Sequence, residues 1–176
     1  MPVTLFLGGT KSGKSRLAES YASATGSEVS YIATSEALDD EMKQRIQHHQ
    51  QQRPSHWHTI EQPIKLASAI ARAKTDTILV DCLTLWLTNL LLADNEKQFS
   101  DQRDALLSTI ENNTKTLIMV SNETNMGIVP MGSLSRRYCD EAGLLHQAIA
   151  ALSDNVILSV AGLPHLLKGT LDDRLR

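Results

Sequence analysis

Eight residues near the start of the chain carry the clearest chemistry: Gly8, Gly9, Thr10, Lys11, Ser12, Gly13, Lys14 and Ser15, spaced G-x-x-x-x-G-K-S. This is the pattern of a phosphate-binding loop. Glycines at both ends let the backbone turn sharply and approach an anion with no Cβ in the way. The N–H groups of such a loop converge as an anion nest, and a helix starting near Lys14 adds the positive end of its dipole. Lys14 then reaches the β and γ phosphates as a point charge, and the Ser15 hydroxyl is placed to ligate Mg²⁺.

A second group of reactive side chains lies further on. Four of the six histidines fall within residues 48–58, but the spacing H-H-x6-H-x-H matches no standard zinc arrangement and no cysteine joins it. At about 100° per residue, Leu38, Met42, Ile46 and His49 share one narrow arc of a helix, whereas His48 projects from a polar face with Glu41. His49 therefore suits a structural role on the apolar stripe, and His48 is either a surface histidine or one that meets a ligand. Arg53 is either a phosphate contact or a solvated cation. A third candidate is Asp81, which closes the apolar run Thr77-Ile78-Leu79-Val80. After a phosphate-binding loop, an acid at the end of a strand is a Walker B arrangement that helps hold Mg²⁺.

The elements that must position these groups follow from the hydrophobic pattern. Strands are expected at residues 3–7, 29–33, 77–81, 116–120 and 155–160, each a short apolar run. Helices are expected from residue 14, at 38–52 ending before Arg53-Pro54, and at 63–73, 83–93, 95–113 and 133–152. The 83–93 helix is so rich in leucine that it is either buried or an oligomer contact. Residues 53–61 read as an ordered surface loop, in which Trp57 either anchors the loop or stacks on a ring. Gly162 and Pro164 turn the chain away from the last strand, and the residues after Lys168 form a charged tail. Polar residues Ser121, Asn122 and Glu123 meet a strand end, where open α/β sheets bind ligands. Glu123 serves there either as a structural acid or to orient a hydroxyl or a water. Strands alternating with helices give an α/β fold: a three-layer P-loop NTPase domain of the RecA-like kind, with a mainly parallel central sheet, spanning residues 1–176 as one domain.

Composition narrows the function. A hydrophobic content of 41% and a charged content of 21% are ordinary for a soluble globular chain. A net charge of −3 argues against nucleic acid or an anionic membrane as partner. The two cysteines, Cys82 and Cys139, lack metal-ligand spacing and fit a reducing cytoplasm. No apolar run approaches a membrane span, and residues 8–15 would interrupt any signal sequence.

Taken together, these blocks resemble the bifunctional adenosylcobinamide kinase / adenosylcobinamide-phosphate guanylyltransferase family of cobalamin biosynthesis. The resemblance covers nearly the whole chain. It runs through residues 8–15, Tyr31-Ile32-Ala33-Thr34, Asp39-Asp40-Glu41-Met42, Arg45-Ile46-Gln47-His48-His49, and Arg53-Pro54 with Trp57, Thr59 and Glu61. It continues through residues 81–87 with Asn89, Ser121-Asn122-Glu123, Gly127-Ile128-Val129-Pro130, Arg137, Asp140, Gly143, Gln147 and Gly162-Leu163-Pro164. The histidine–Arg-Pro–Trp block and the Asn-Glu–Gly-Ile-Val-Pro block are far more specific than the first. The resemblance implies two reactions: phosphorylation of adenosylcobinamide by ATP or GTP, then transfer of GMP from GTP through a guanylylated histidine, releasing pyrophosphate. It assigns the histidine to His48 and nucleotide contacts to residues 8–15, Arg53, Glu61 and Asp81. It also implies a homotrimer that uses Mg²⁺ with GTP and ATP as substrates. The chain departs from the family pattern at Lys11, where arginine is frequent, at Thr124-Asn125 in place of Val-Gly, and at His146 in place of asparagine. Two other classes fit the loop alone: a small-molecule P-loop kinase without nucleotidyl transfer, and a nucleic-acid-dependent ATPase.

Overall fold

A computed structural model of the chain describes residues 1–36 and 54–170. The helix expected over residues 38–52, with His48, His49 and Arg45, lies outside the described residues, as does Arg53.

Seven strands form one sheet in the order β3-β2-β4-β5-β1-β6-β7. They are β1 (Val3–Gly8), β2 (Val29–Ala33), β3 (His58–Glu61), β4 (Thr77–Asp81), β5 (Thr116–Asn122), β6 (Asn155–Val160) and β7 (Leu163–Lys168). All neighbouring pairs are parallel except β6 and β7. Four of the five central strands are buried along nearly their whole length and β6 at Val156, Ile157 and Ser159, which is why they appear in the sequence as short apolar runs. The described helices are α1 (Lys14–Ser23), α2 (Leu66–Arg72), α3 (Leu83–Leu92), α4 (Glu96–Glu111) and α5 (Ser133–Leu152).

Strand alternation divides the core into two layers. Phe6, Tyr31, Leu79, Ile118 and Val120 face α1, where they meet Ala18, Tyr21 and Ala22. Leu5, Leu7, Ile78, Val80, Leu117 and Met119 face the other way, against apolar residues of α2, α3, α4 and α5. The leucine-rich α3 is therefore a core helix, with Leu83, Trp86, Leu87, Leu90 and Leu91 buried, although Leu92 at its end is exposed. Trp86 fixes it further by donating from Nε1 to the Ile64 carbonyl at 2.7 Å. Asn95, read as the first residue of a helix, instead caps α4, its side chain accepting from the Gln98 N–H at 3.0 Å.

Two strands differ from the sequence expectation. Residues 58–61, read as loop, form β3, and residues 163–168, read as a turn and the approach to a tail, form β7. Both lie at the sheet's edges and are mostly exposed, so neither carries the buried apolar run that reveals a strand. Pro164 sits in β7 because an edge strand need not donate from every residue. The helix expected over 63–73 is shorter, Leu66–Arg72.

Candidate active site

The carboxyl ends of β1, β4 and β5 converge on one edge of the sheet. β5 runs between the other two, with Gly8 in register with Asn122 and Asp81 in register with Val120. The phosphate-binding loop thus rises from β1, and the Walker B acid from β4.

The loop is shaped from within and braced from outside. Inside it, the Ser12 N–H donates to the Gly9 carbonyl at 3.1 Å, and Lys11 and Gly13 take left-handed conformations with φ of 57° and 92°. Gly13 begins α1 directly, and its neighbour across the loop is Gly162, whose Cα would lie 3.0 Å from a Cβ added at Gly13. The brace comes from β6 and the turn after it. Ser159 Oγ donates to the Ser12 carbonyl at 2.7 Å, and the Gly162 N–H donates to the same oxygen at 2.8 Å. Ser159 and Gly162 hold the loop without belonging to it, and the motif's spacing gave no sign of the former. The adjacent glycine was visible only as a turn signal.

Gly9, Thr10 and Lys11 are exposed at the loop's crest, whereas Ser12 and Lys14 are buried and Ser15 is half-buried. Lys14 folds back along the loop, its Nζ donating to the Gly9 carbonyl at 3.2 Å. Burial lowers its pKa from the ordinary lysine value, and the nearby Cys82 and Asp81 act in the opposite sense. An ammonium held in a pocket of low dielectric is well suited to receive a polyphosphate.

Asp81 is aimed by its neighbours. Tyr31, on the adjacent strand β2 and 1% exposed, donates from its hydroxyl to Asp81 Oδ2 at 2.5 Å. The Tyr31 ring is set in turn against Trp57, with centroids 6.2 Å apart. Trp57 is buried, so its expected role as an anchor holds. The corner after Asp81 is pinned by Thr34, whose hydroxyl donates to the Cys82 carbonyl at 2.6 Å and accepts from the Cys82 N–H at 3.0 Å. Asn89 of α3 donates to the Thr34 carbonyl at 2.9 Å. The Cys82 thiol is enclosed, and burial pushes its pKa up to about 11, so it is no nucleophile near neutral pH. Glu61 closes β3 in register with Ala33, which is itself in register with Asp81, so it stands at the same sheet edge two strands away, exposed.

Among the described residues no cluster of three or more His, Cys, Asp or Glu could hold a metal by itself. The donors present, one carboxylate at Asp81 and one hydroxyl at Ser15, are hard oxygen ligands. They fit Mg²⁺, which is held by one or two protein groups together with substrate phosphates. A cavity of about 230 Å³ lies apart from the phosphate loop, between α3 and α5, lined by Thr88, Leu91, Pro130, Leu134, Tyr138 and Cys139. Its apolar lining does not suit a triphosphate. The loop beside it exposes Met126, Ile128, Val129 and Met131.

A sequence profile of the family described as cobinamide kinase / cobinamide phosphate guanyltransferase matches residues 4–167. The chain belongs to this family. It is 54% identical over 168 residues to the bifunctional adenosylcobalamin biosynthesis protein CobP of Pseudomonas aeruginosa, covering 94% of this chain and 96% of that one. It is 40% identical over 174 residues to the protein CobU of Salmonella typhimurium, described in the same words, covering 90% and 96%. As a member of the family the chain is a kinase and guanylyltransferase of cobalamin biosynthesis. The fold is similar to that of an ATPase from a type III secretion system of pathogenic bacteria, with a TM-score of 0.59 at 12% identity, over 99% of this chain and 60% of that one. At that identity the likeness speaks for the P-loop architecture alone.

Proposed function

We propose that the chain performs its two family reactions on one nucleotide site at the carboxyl edge of the sheet, with His48 as the covalent intermediate. The observation that carries this reading is that Lys14, at the start of α1, and Asp81, at the end of β4, lie near enough to act on each other electrostatically on the side of the sheet that faces α1. In the kinase step, residues 8–15 and Lys14 hold the triphosphate, and its γ-phosphoryl passes to the aminopropanol hydroxyl of adenosylcobinamide. In the second reaction, His48 attacks the α-phosphorus of GTP and pyrophosphate leaves. The phosphoramidate then gives GMP to the new phosphate, yielding adenosylcobinamide-GDP. A neutral imidazole nitrogen is nucleophilic near pH 7 and is a good leaving group from phosphorus. Arg53 and Glu61 complete the nucleotide contacts.

Ser15 and Asp81 are the residues that would hold Mg²⁺, with Tyr31 aiming the carboxylate. Bound there, the ion would neutralise phosphate charge. We further assign the chain to the cytoplasm, a reading supported by two unpaired cysteines, and to a homotrimer. The exposed apolar loop of Met126, Ile128, Val129 and Met131 supports association, since such patches mark contact surfaces. A monomeric mass by light scattering would remove the trimer.

The deciding experiment is incubation with α-labelled GTP and Mg²⁺. Label should appear on protein in an acid-labile form and be absent from His48→Ala, which retains phosphorylation of adenosylcobinamide. Full labelling of His48→Ala would move the intermediate elsewhere. A wild-type chain that phosphorylates but never takes up label would favour a plain small-molecule kinase.

A further inference from the structure

Beside the nucleotide site lies a buried polar chain that neither phosphate binding nor guanylylation uses. It begins at the Asn122 N–H, which donates to Thr84 Oγ1 at 2.7 Å. Thr84 Oγ1 lies 3.5 Å from Ser121 Oγ, and Ser121 Oγ lies 2.8 Å from His146 Nε2. His146 Nδ1 stands 3.9 Å from Glu123 Oε2. An amide N–H can only donate, so Thr84 Oγ1 accepts from Asn122; the hydroxyl keeps a second lone pair, so this bond does not set the direction of the contacts beyond it. Ser121 Oγ donates to His146 Nε2 or accepts from it according to the tautomer of the ring. In the tautomer with its proton on Nδ1, Ser121 donates to Nε2 and the Nδ1–H faces the Glu123 carboxylate. Burial lowers the His146 pKa, with Glu123 opposing, which favours a neutral ring. Ser121 is 1% exposed and sits behind the ring, so the trio is not a hydrolytic nucleophile with its base.

Glu123 itself is held in three ways. Its N–H donates to the Gly8 carbonyl at 3.0 Å, tying it to the root of the phosphate loop. Its Oε1 accepts from the Asn125 N–H at 2.6 Å. Its Oε2 faces His146 and accepts no hydrogen bond from the described residues. Alternation along β5 sends Ile118 and Val120 toward α1, and Met119, Ser121 and hence Glu123 toward α3 and α5. Asp81, two residues beyond Leu79, points toward α1. The triphosphate ligands and Glu123 thus approach the same sheet edge from opposite faces. An in-line transfer needs the acceptor hydroxyl on the side of the γ-phosphorus away from the leaving oxygen, and a carboxylate that reaches this edge from the face opposite the triphosphate ligands can meet it there. The apolar loop that follows Glu123, and the cavity against Tyr138, lie on the acceptor side.

We propose that Glu123 is the group that takes the proton of the acceptor hydroxyl in the kinase step, and that His146, seated on Ser121, is its positioning residue. The proposal rests on the kinase reaction stated above. The hydroxyl oxygen bonds to the γ-phosphorus as the bond from that phosphorus to the β,γ-bridging oxygen breaks. The electron pair leaves with the nucleoside diphosphate, and the hydroxyl proton passes to Glu123 Oε2, later to be released to water. Attack by a neutral imidazole on GTP has no hydroxyl proton to remove. Neither does transfer of GMP to a phosphate oxygen. Glu123 should therefore matter to one reaction and not to the other.

The test uses the full chain, with phosphorylation of adenosylcobinamide from γ-labelled ATP and self-labelling from α-labelled GTP measured on the same preparations. Absence of kinase turnover in the wild-type chain would overturn the functional reading and not the role of Glu123 within it. Given wild-type turnover, Glu123→Gln should lower kinase kcat about 100-fold or more, the range of a lost general base, with KM for ATP and GTP self-labelling within about threefold. Retained kinase turnover would overturn the proposal, and so would a parallel fall in labelling by folded protein, which would make Glu123 a nucleotide or metal contact. If Glu123→Gln does not fold, Glu123→Asp, whose carboxylate is withdrawn by one methylene, must show the same one-sided loss. His146→Ala should lower kinase kcat about tenfold at unchanged KM for ATP, and His146→Asn, whose amide can both accept from Ser121 and donate to Glu123, should recover most of it. An unaffected His146→Ala, or an asparagine variant no better than the alanine one, would overturn the positioning role.

Discussion

Replacing Tyr31 with phenylalanine isolates the aim of the Walker B acid from its charge. The substitution removes one oxygen, the donor to Asp81 Oδ2 at 2.5 Å, and leaves the ring against Trp57. A hydrogen bond to a charged acceptor contributes about 1.5–3 kcal/mol. Asp81 is half-buried, so water can take part of the phenol's place, which puts the expected loss near the low end, about 1.5 kcal/mol. In a domain of this size about 1 kcal/mol corresponds to roughly 2–4 °C, so Tm without ligands should fall by about 3–6 °C. The same freedom lets Asp81 rotate away from the metal position. Half-saturation by Mg²⁺ in the kinase assay should therefore rise, by no more than about tenfold, since about 1.4 kcal/mol is a factor of ten. Thermal melts and a Mg²⁺ titration of turnover measure both. A Tyr31→Phe protein with unchanged Tm and unchanged Mg²⁺ dependence would refute the idea that the phenol aims this carboxylate.

Two further outcomes follow from the site's surroundings. Gly162→Ala places a side chain at a φ of 79° and 3.3 Å from an Arg16 guanidinium nitrogen; it should lose about 1–2 kcal/mol by denaturant unfolding and weaken nucleotide binding through the Ser12 carbonyl that Gly162 supports, and unchanged nucleotide affinity by calorimetry would show that the brace is dispensable. His146 is buried with its pKa below the ordinary 6.5, so below that pH the unfolded chain takes up a proton before the folded one does. Stability should then fall as pH drops from about 6.5 toward the folded-state value, by at most about 1.4 kcal/mol per pH unit, and His146→Asn should flatten that part of the difference curve. Parallel pH profiles of the two proteins would rule out this contribution.

Legibility in the sequence followed burial. The five central strands and α1, α3, α4 and α5 announced themselves because solvent is excluded from whole faces of them, and burial imposes an apolar period that survives in one dimension. β3 and β7 did not, since an edge strand is held by backbone pairing and asks little of its side chains. At the site, Gly8 through Ser15 and Asp81 were visible because phosphate chemistry demands particular residues at fixed spacing. Tyr31, Thr34 and Ser159 were not. Each acts through a contact between strands far apart in the chain, and a tyrosine, threonine or serine in an apolar run carries no mark of what it will face. Glu123 showed both of its readings in the sequence, and the side of β5 from which it projects could not be read there.

The position of β1 has a consequence for how the chain is made on the ribosome. This first strand lies between β5 and β6, so Val3 pairs with Leu117, and Thr4 with Asn155. Asp154 then clamps Val3 from both sides, its carboxylate accepting from the Val3 N–H at 2.8 Å and its own N–H donating to the Val3 carbonyl at 2.9 Å. The phosphate loop is thus synthesised well before the two strands that flank its own. At roughly 5–20 residues per second, its strand waits on the order of ten seconds for both neighbours. Until β6 has emerged, a nascent chain lacks a neighbour on one side of β1, and ATP or GTP in the cell can stabilise the loop only after that.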